Sequence, residues 1–408
     1  MRGNVNKVFR YKTFYVILAI ILFFLPTTLY MPSQAQSRAI VTAIGIDKLD
    51  GMYEVTLAMI TPKNSGQVAG GNMVDSGTGS SVSIAMQNLS INLGKVIGLQ
   101  HCSFIIISDE VFKEDVTGVL DYFIRSNTLT ADAHLVNCPD SSKELIKEGA
   151  SASESSVATM NDIVQFNNDY LYSEAVTIYE FYNRYLSPSG SVFVPILELK
   201  SESSSSSTSS SGDDSNSGSS NTINNGSNNS TSGGDNSSKY QSNGKCAIIK
   251  KGVKVREVSE NERVALNILN EGKGNSVISV HDFSEGSIEN ADMYYQLVEK
   301  SVGRKNYFEN GVPKVTFKIR LLVKLDEIHM EGVETKEVSA LTSYMSSKVE
   351  NKLKENLHNY VMELVDNMKK DNADILFVYD NLNRFKNKEF KKYLNNISQD
   401  NYLEGIEF

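Results

Sequence analysis

The chain has no tryptophan, only three cysteines and only seven prolines in 408 residues. Cys102, Cys138 and Cys246 lie far apart in sequence, too few for a disulfide scaffold, and no CxxC or Cys/His cluster has zinc spacing. The cysteines read as free, partly buried thiols. An excess of positive charge is missing too. The formal net charge is −9, which argues against a general nucleic-acid binder. Apolar residues make up 40%, slightly below a typical globular chain, so part of the sequence contributes no core. The length sets an expectation of more than one domain, at about 100–200 residues each.

Signatures of catalysis are also lacking. His101, His134, His281, His329 and His358 form neither HExxH nor another short metal pair. There is no GxSxG elbow, no P-loop and no complete GxGxxG. Gly77-Thr78-Gly79 falls in the polar stretch Asn64 to Ser80, which reads as a mobile loop. Asp47 and Asp374 sit at strand or helix ends, and sequence alone does not reveal whether distant carboxylates pair. The reading is a protein that is not an enzyme, with no cofactor and no metal site.

At the N-terminus, Arg2, Lys7, Arg10 and Lys12 form a cationic head, and no charged residue follows until Arg38. Within that gap lies a candidate membrane anchor made of Phe14, Tyr15, Val16, Ile17, Leu18, Ile20, Ile21, Leu22, Phe23, Phe24 and Leu25, with Ala19 between. A run this short fits the core of a signal peptide. Extended to Met31 it reaches about 27 Å, barely the thickness of a bilayer. The charge asymmetry predicts a cytoplasmic N-terminus and an exported remainder. Ser33 and Ala35 are small residues suited to cleavage before Gln36. A retained anchor is the preferred reading, with cleavage and a buried core helix as alternatives.

Ser201 to Asn243 is almost pure Ser, Asn, Gly, Asp and Thr, and cannot offset the entropy of ordering itself. It reads as a flexible linker or long loop, averaging about 35–40 Å end to end. Before it, Ala39 to Asp47, Tyr53 to Thr61, Phe104 to Ile107, Ala133 to Asn137 and Val192 to Leu199 are strand-like, with a hairpin turn at Asp50-Gly51. Three sets recur at helical spacing: Val82–Met86–Leu89–Leu93–Val96, Val116–Val119–Leu120–Phe123 and Val176–Tyr179–Tyr182.

After the tract, Cys246 to Lys250 and Val253 to Val255 flank a turn at Lys251-Gly252. Ser259-Glu-Asn-Glu262 has the spacing of a capping box. Ser276 to Val280 and Val315 to Leu325 are strand-like, the second with one apolar and one wet face. A long amphipathic helix is predicted from about Ser339 to Lys370, with Leu341, Met345, Val349, Leu353, Leu357, Val361, Leu364 and Met368 as its core-facing stripe. Beyond it, Arg384, Lys386, Lys388, Lys391 and Lys392 alternate with Phe385, Phe390 and Tyr393, a solvated face or a contact for anionic headgroups or an acidic partner.

The fold class is a mixed α/β (α+β) multi-domain protein, with mixed sheets and flanking helices. The expected division is 1–37 as export signal or anchor, 38–200 as an N-terminal α/β domain and 201–243 as a disordered linker. It continues with 244–305 as a small middle α/β domain and 306–408 as a C-terminal domain carrying the long helix.

Ala39-Ile-Val-Thr-Ala-Ile-Gly-Ile-Asp-Lys48 with Asp50 to Thr56, His101 to Ser108 and Val119 to Arg125 resembles the first half of the Ger(x)C family, the C subunits of spore germinant receptors. Cys246 to Val255, Ser259 to Glu262 and Asn372 to Leu376 resemble its second half, in the same order. The resemblance implies a non-catalytic subunit that works with integral-membrane A-type and B-type subunits in nutrient sensing and spore germination. It implies a place on the exported side of the membrane, the inner spore membrane, with no nucleic-acid partner. The sequence departs from the family's usual pattern at three points, one of them its end at Phe408, about where a closing strand is expected. Leu29-Tyr30-Met31 stands near where a lipobox cysteine followed by Trp-Asp is usual, so tethering would fall to the apolar segment. Asp374-Ile-Leu-Phe377 stands where the family often has Asp-Ile-Phe-Gly. The alternative from another class is an exported solute-binding protein of a transporter, which the long Ser/Asn tract disfavours because such lobes are joined by short hinges.

Overall fold

The structure is a computed structural model that describes residues 14–16, 18–20, 38–60, 72–126, 129–152, 156–169, 174–200, 240–270, 276–286, 288–330, 344–397 and 401–408. Strand β1 (Arg38–Leu49) turns into β2 (Met52–Ile60), antiparallel to it. Asp50 and Gly51 have φ of 49° and 78°, the two-residue turn whose twist matches that of its strands. β3 (Asn72–Gly79) adds beyond β2, and β4 (Val96–Gly98) pairs with β1. β5 (Phe104–Ser108) runs parallel to β1, β6 (His134–Cys138) runs parallel to β5, and β7 (Val176–Thr177) closes a seven-stranded sheet.

Five helices accompany this sheet: α1 (Val82–Leu93), α2 (Asp109–Phe112), α3 (Thr117–Arg125), α4 (Ser142–Ala152) and α5 (Ser156–Asp169). A sixth, α6 (Ile178–Leu186), follows β7. The alternation of strand side chains assigns the faces. Ile44, Ile46, Ile105 and Ile107 enter one core with residues of α1, α3 and α6. Ala43, Phe104 and Ile106 enter the other with residues of α4 and α5. Buried on both faces, β5 reads as an unbroken apolar run.

Several expectations change in detail. Val96 begins β4, because Gly94 ends α1 in the left-handed conformation at φ 60°. Val176 belongs to β7. Of the polar stretch read as a loop, residues 72–79 form β3, whereas 64–71 lie outside the described residues. Gly77 and Gly79 serve close packing there. A Cβ on Gly79 would stand 2.5 Å from the backbone nitrogen of Ala85 in α1.

The strand expected at Val192 to Leu199 divides into β8 (Ser191–Pro195) and β9 (Glu198–Leu199). β9 pairs with β10 (Tyr240–Gln241), so the tract read as linker ends in a strand with Tyr240 buried. β8 pairs with β11 (Cys246–Lys250), which pairs with β12 (Val253–Glu257) through the expected turn at Lys251-Gly252. Residues 201–239 lie outside the described residues. This three-stranded sheet is a wall between two cores. Ala247 and Ile249 enter the core of the first sheet, whereas Phe193, Cys246 and Ile248 enter a core built with the C-terminal helices.

The remaining elements are α7 (Glu260–Leu269), β13 (Val277–Glu285), β14 (Ile288–Glu309) and β15 (Val312–His329), then α8 (Ser347–Lys370), α9 (Val378–Phe385) and α10 (Asn387–Leu394). Ser259 and Glu262 close the expected capping box on α7. The strands β13, β14 and β15 form an antiparallel sheet. β14 was not among the sequence expectations. α8 starts later than its apolar periodicity suggests, with Ser346 as N-cap and Met345 exposed before it, and Leu341 lies outside the described residues. Its stripe spans two cores: Val349 and Leu353 pack on the antiparallel sheet, and Leu364, Val365 and Met368 pack with α9, α10 and the C-terminal segment.

Candidate functional site

Of the candidate anchor, Phe14, Tyr15, Val16, Leu18 and Ile20 are helical and exposed, and Ile17, Ile21, Leu22, Phe23, Phe24 and Leu25 lie outside the described residues. No helix among the described residues is long and apolar enough to cross a membrane.

The two carboxylates singled out in the sequence do separate structural work. Asp47 accepts the N–H groups of Ser142 at 2.9 Å and Lys143 at 3.0 Å, and the Ser142 hydroxyl at 2.8 Å, so it caps α4 from a neighbouring strand. Asp374 accepts the N–H groups of Val378 at 2.8 Å and Tyr379 at 2.7 Å, and so caps α9. The histidines stay apart from any cluster of three metal-ligating side chains among the described residues. His281 pairs with Asp292 at 3.2 Å and His329 with Glu327 at 2.9 Å, with the Tyr294 ring edge-on to both imidazoles. Burial lowers the pKa of His134, and the Nδ1 of its ring is buried without a partner. Cys102, Cys138 and Cys246 are buried thiols, and burial pushes those of Cys102 and Cys138 up to about 12, so both stay protonated.

Charge is concentrated instead at the wall shared by the two cores. Lys254 on β12 donates to both oxygens of Asp109 at 2.8 Å and to Asn137 Oδ1 at 3.1 Å, and Asn137 Nδ2 donates to Asp109 at 2.8 Å. This ties β12 to α2 and β6. Two residues along β12, Arg256 holds Glu262 in a fork at 2.6 and 2.7 Å and also reaches Asp371. The Asn367 amide donates to Glu262 at 3.1 Å. Glu262 therefore completes a capping box and anchors an ion pair from its place at the start of α7. Burial works against its ionisation, yet the Arg256 fork, the Ser259 N–H and the Asn367 amide outweigh burial and hold its carboxyl below the usual value. A paired guanidinium of this kind is a strong geometric clamp. Lys250 donates to the Asn372 carbonyl on the same side.

Two hollows lie in the C-terminal half. An apolar groove of about 550 Å³ runs between β15 and α8, lined by Ile319, Leu321, Val323, Leu353 and Leu357. A second hollow, about 540 Å³, is walled by the end of α7, β14, β15 and the Leu376–Phe377 segment. In the basic C-terminal stretch, Phe390 and Tyr393 turn inward, Phe385 is 65% exposed, and Arg384, Lys388, Lys391 and Lys392 point outward.

Two family models match in chain order. The spore germination protein N-terminal domain covers residues 33–199, and the spore germination B3/GerAC-like C-terminal domain covers residues 244–405. The chain belongs to the Ger(x)C family of spore germination proteins. These are the C subunits of germinant receptors, as the resemblance implied. No curated protein sequence matches. The crystal structure of the GerBC protein is similar to the chain with 13% identity and a TM-score of 0.47, over 90% of this chain and 94% of that one.

Membership in the Ger(x)C family gives meaning to Phe377. It stands where the resemblance implies the glycine of an Asp-Ile-Phe-Gly, and its backbone is left-handed at φ 51°, ψ 42°. That conformation favours glycine and costs a residue with a Cβ about 1–2 kcal/mol. Here the ring has a partner. The Arg184 guanidinium of α6 lies 5.0 Å from its centroid, while the same Arg184 pairs with Glu174. The sequence marked the missing glycine but contained no sign of this contact.

Proposed function

We propose that the chain is a membrane-associated, non-catalytic subunit of a nutrient receptor complex, held beside integral-membrane A-type and B-type subunits on the exported side of the inner spore membrane. The observation that carries this reading is the ordered match of both Ger(x)C halves behind a cationic head and an apolar run. A charged head on the N-terminal side of an apolar segment favours export of the chain beyond that segment. The wall β8–β11–β12 supports a role in contact and coupling. Its strands serve two cores at once, and the Lys254 and Arg256 networks clamp it on both sides. Two lobes fused this way suit a rigid adaptor better than a hinged solute trap.

The direct test is deletion of the gene in a sporulating host, scored by nutrient-induced germination. Loss of the response to at least one nutrient, restored by the intact gene, is the expected result. An unchanged response to every nutrient that triggers the parent, with related genes also removed, contradicts the receptor role. Anchoring is tested separately by fractionating spores and sequencing the mature N-terminus by mass spectrometry. Retention of Phe14 to Leu25 in the membrane fraction is expected, and a mature protein beginning at Gln36 excludes a retained anchor. Affinity purification of the full chain from detergent-solubilised spore membranes should recover the A-type and B-type subunits together.

A further inference from the structure

We infer that the hollow between α7, β14, β15 and the Leu376–Phe377 segment is a binding site for a small organic anion, which it holds by a carboxylate. Such a site would stand whether or not the receptor reading holds. The hollow holds about 540 Å³, within the range of small-molecule sites. Its walls carry Lys300, Arg304, Asn270 and Asn381 beside the rings of Phe317 and Phe377. This is a mixture of cations, amides and aromatic surface.

The two cations have donors left over. Lys300 Nζ donates to the carbonyls of Asn267 and Asn270 at the end of α7, the second at 2.7 Å, which leaves one of its three N–H groups unused. Arg304 donates from Nη1 to the Leu376 carbonyl at 2.7 Å and from Nε to Asn306 Oδ1 at 3.1 Å, and it lies over the Phe317 ring. Its Nη2 is buried with no partner at all. Capping of carbonyls explains most of these contacts but not that nitrogen, and buried guanidinium donors are almost always satisfied.

No carboxylate forms an ion pair with either cation among the described residues. Asp374 is the acidic group whose field reaches Arg304, and its oxygens are already taken by two backbone N–H groups and the Tyr402 hydroxyl. Burial lowers the pKa of both cations, as expected for positive charge without a counter-ion. An entering anion would meet one free N–H of Lys300, and a shift of the Arg304 side chain would bring the N–H groups of its Nη2 to the same anion. A carboxylate can place one oxygen on each cation, and beside the Phe317 and Phe377 rings it is favoured over inorganic phosphate, which has no apolar remainder to bury. The aromatic walls would hold an apolar remainder of the ligand.

The test is calorimetric titration of the full chain in detergent with 4-phenylbutyrate, with its uncharged amide 4-phenylbutyramide and with inorganic phosphate. Saturable binding of the carboxylate with no measurable binding of the amide or of phosphate is expected. Arg304→Met and Lys300→Met should each weaken binding about tenfold or more, the effect of one charge-assisted hydrogen bond. Circular dichroism melting checks that each variant folds, and either variant alone suffices. The site is overturned by equal binding of acid and amide, by preference for phosphate, by unchanged affinity in a folded variant, or by no binding up to about 10 mM.

Discussion

The Tyr402 hydroxyl donates to Asp374 Oδ2 at 2.6 Å, joining residues 28 apart in a fully buried setting. Asp374 also receives the first N–H groups of α9, and the Tyr402 ring packs edge-on to Tyr379 at 5.1 Å. Burial and the adjacent carboxylate push the Tyr402 pKa far up, so the phenol remains a donor. Tyr402→Phe should cost about 1–2 kcal/mol, because one donor goes while the ring stays. Asp374→Ala should cost about 3–5 kcal/mol, because three donors are left facing a cavity. Urea denaturation of both variants checks the order, and equal losses would contradict it.

Phe377 predicts a reversal of a familiar ranking. Alanine is ordinarily the better residue, but at φ 51° it keeps the backbone strain while losing the ring over Arg184. Phe377→Gly should therefore be more stable than Phe377→Ala by about 1 kcal/mol. Thermal melting of the pair decides the matter, and a more stable alanine variant refutes it.

Glu262 predicts a pH dependence. Its folded pKa lies below the unfolded value near 4.5, so the folded state binds fewer protons on this group. The stabilisation is fully present above about pH 5 and is lost as pH falls through the folded pKa. The stability difference between the native chain and Glu262→Gln should narrow between pH 6 and pH 3. Denaturation series at both pH values measure the gap, and a constant gap argues against the assignment.

Gly79 predicts a steric loss. The Cβ of Gly79→Ala would meet the Ala85 nitrogen at 2.5 Å and Ile84 carbon atoms at 2.9 and 3.0 Å, so α1 must lift from β3. A loss of about 2 kcal/mol is expected, whereas Gly118→Ala, in a helix with open space around it, should be neutral or gain up to about 1 kcal/mol. Comparing the urea midpoints of the two variants tests the contrast.

Local chemistry made part of this fold legible. Asp50-Gly51 fixed a hairpin, Phe104 to Ile107 announced a strand buried on both faces, and Ser259 with Glu262 announced a helix start. β3 stayed hidden because its glycines and polar residues answer to the helix above it rather than to strand propensity. β14 does carry a local signal: Ala291, Met293, Tyr295 and Leu297 alternate inward, and Asn310-Gly311 forms its turn at φ 52° and 83°. The pairing of β8 with β11 joins segments on opposite sides of the Ser/Asn tract, and nothing local records it. The cationic hollow was equally silent. Lys300 and Arg304 lie on one face of β14 with Val302 between them, where isolated charges read as solvated.

The pairing of Leu199 with Tyr240 has a practical consequence. The backbone enters and leaves the Ser/Asn-rich tract one strand spacing apart, not the several tens of ångströms a free coil of that length would span. Both ends of the tract are thus fixed by one strand pair. A protease nick within 201–239 would leave two fragments clasped through β8 and β11, eluting as one particle. Doubling the tract's length would add only about 0.6 kcal/mol of closure cost. It is therefore a natural socket for a fluorescent or affinity module in the intact protein.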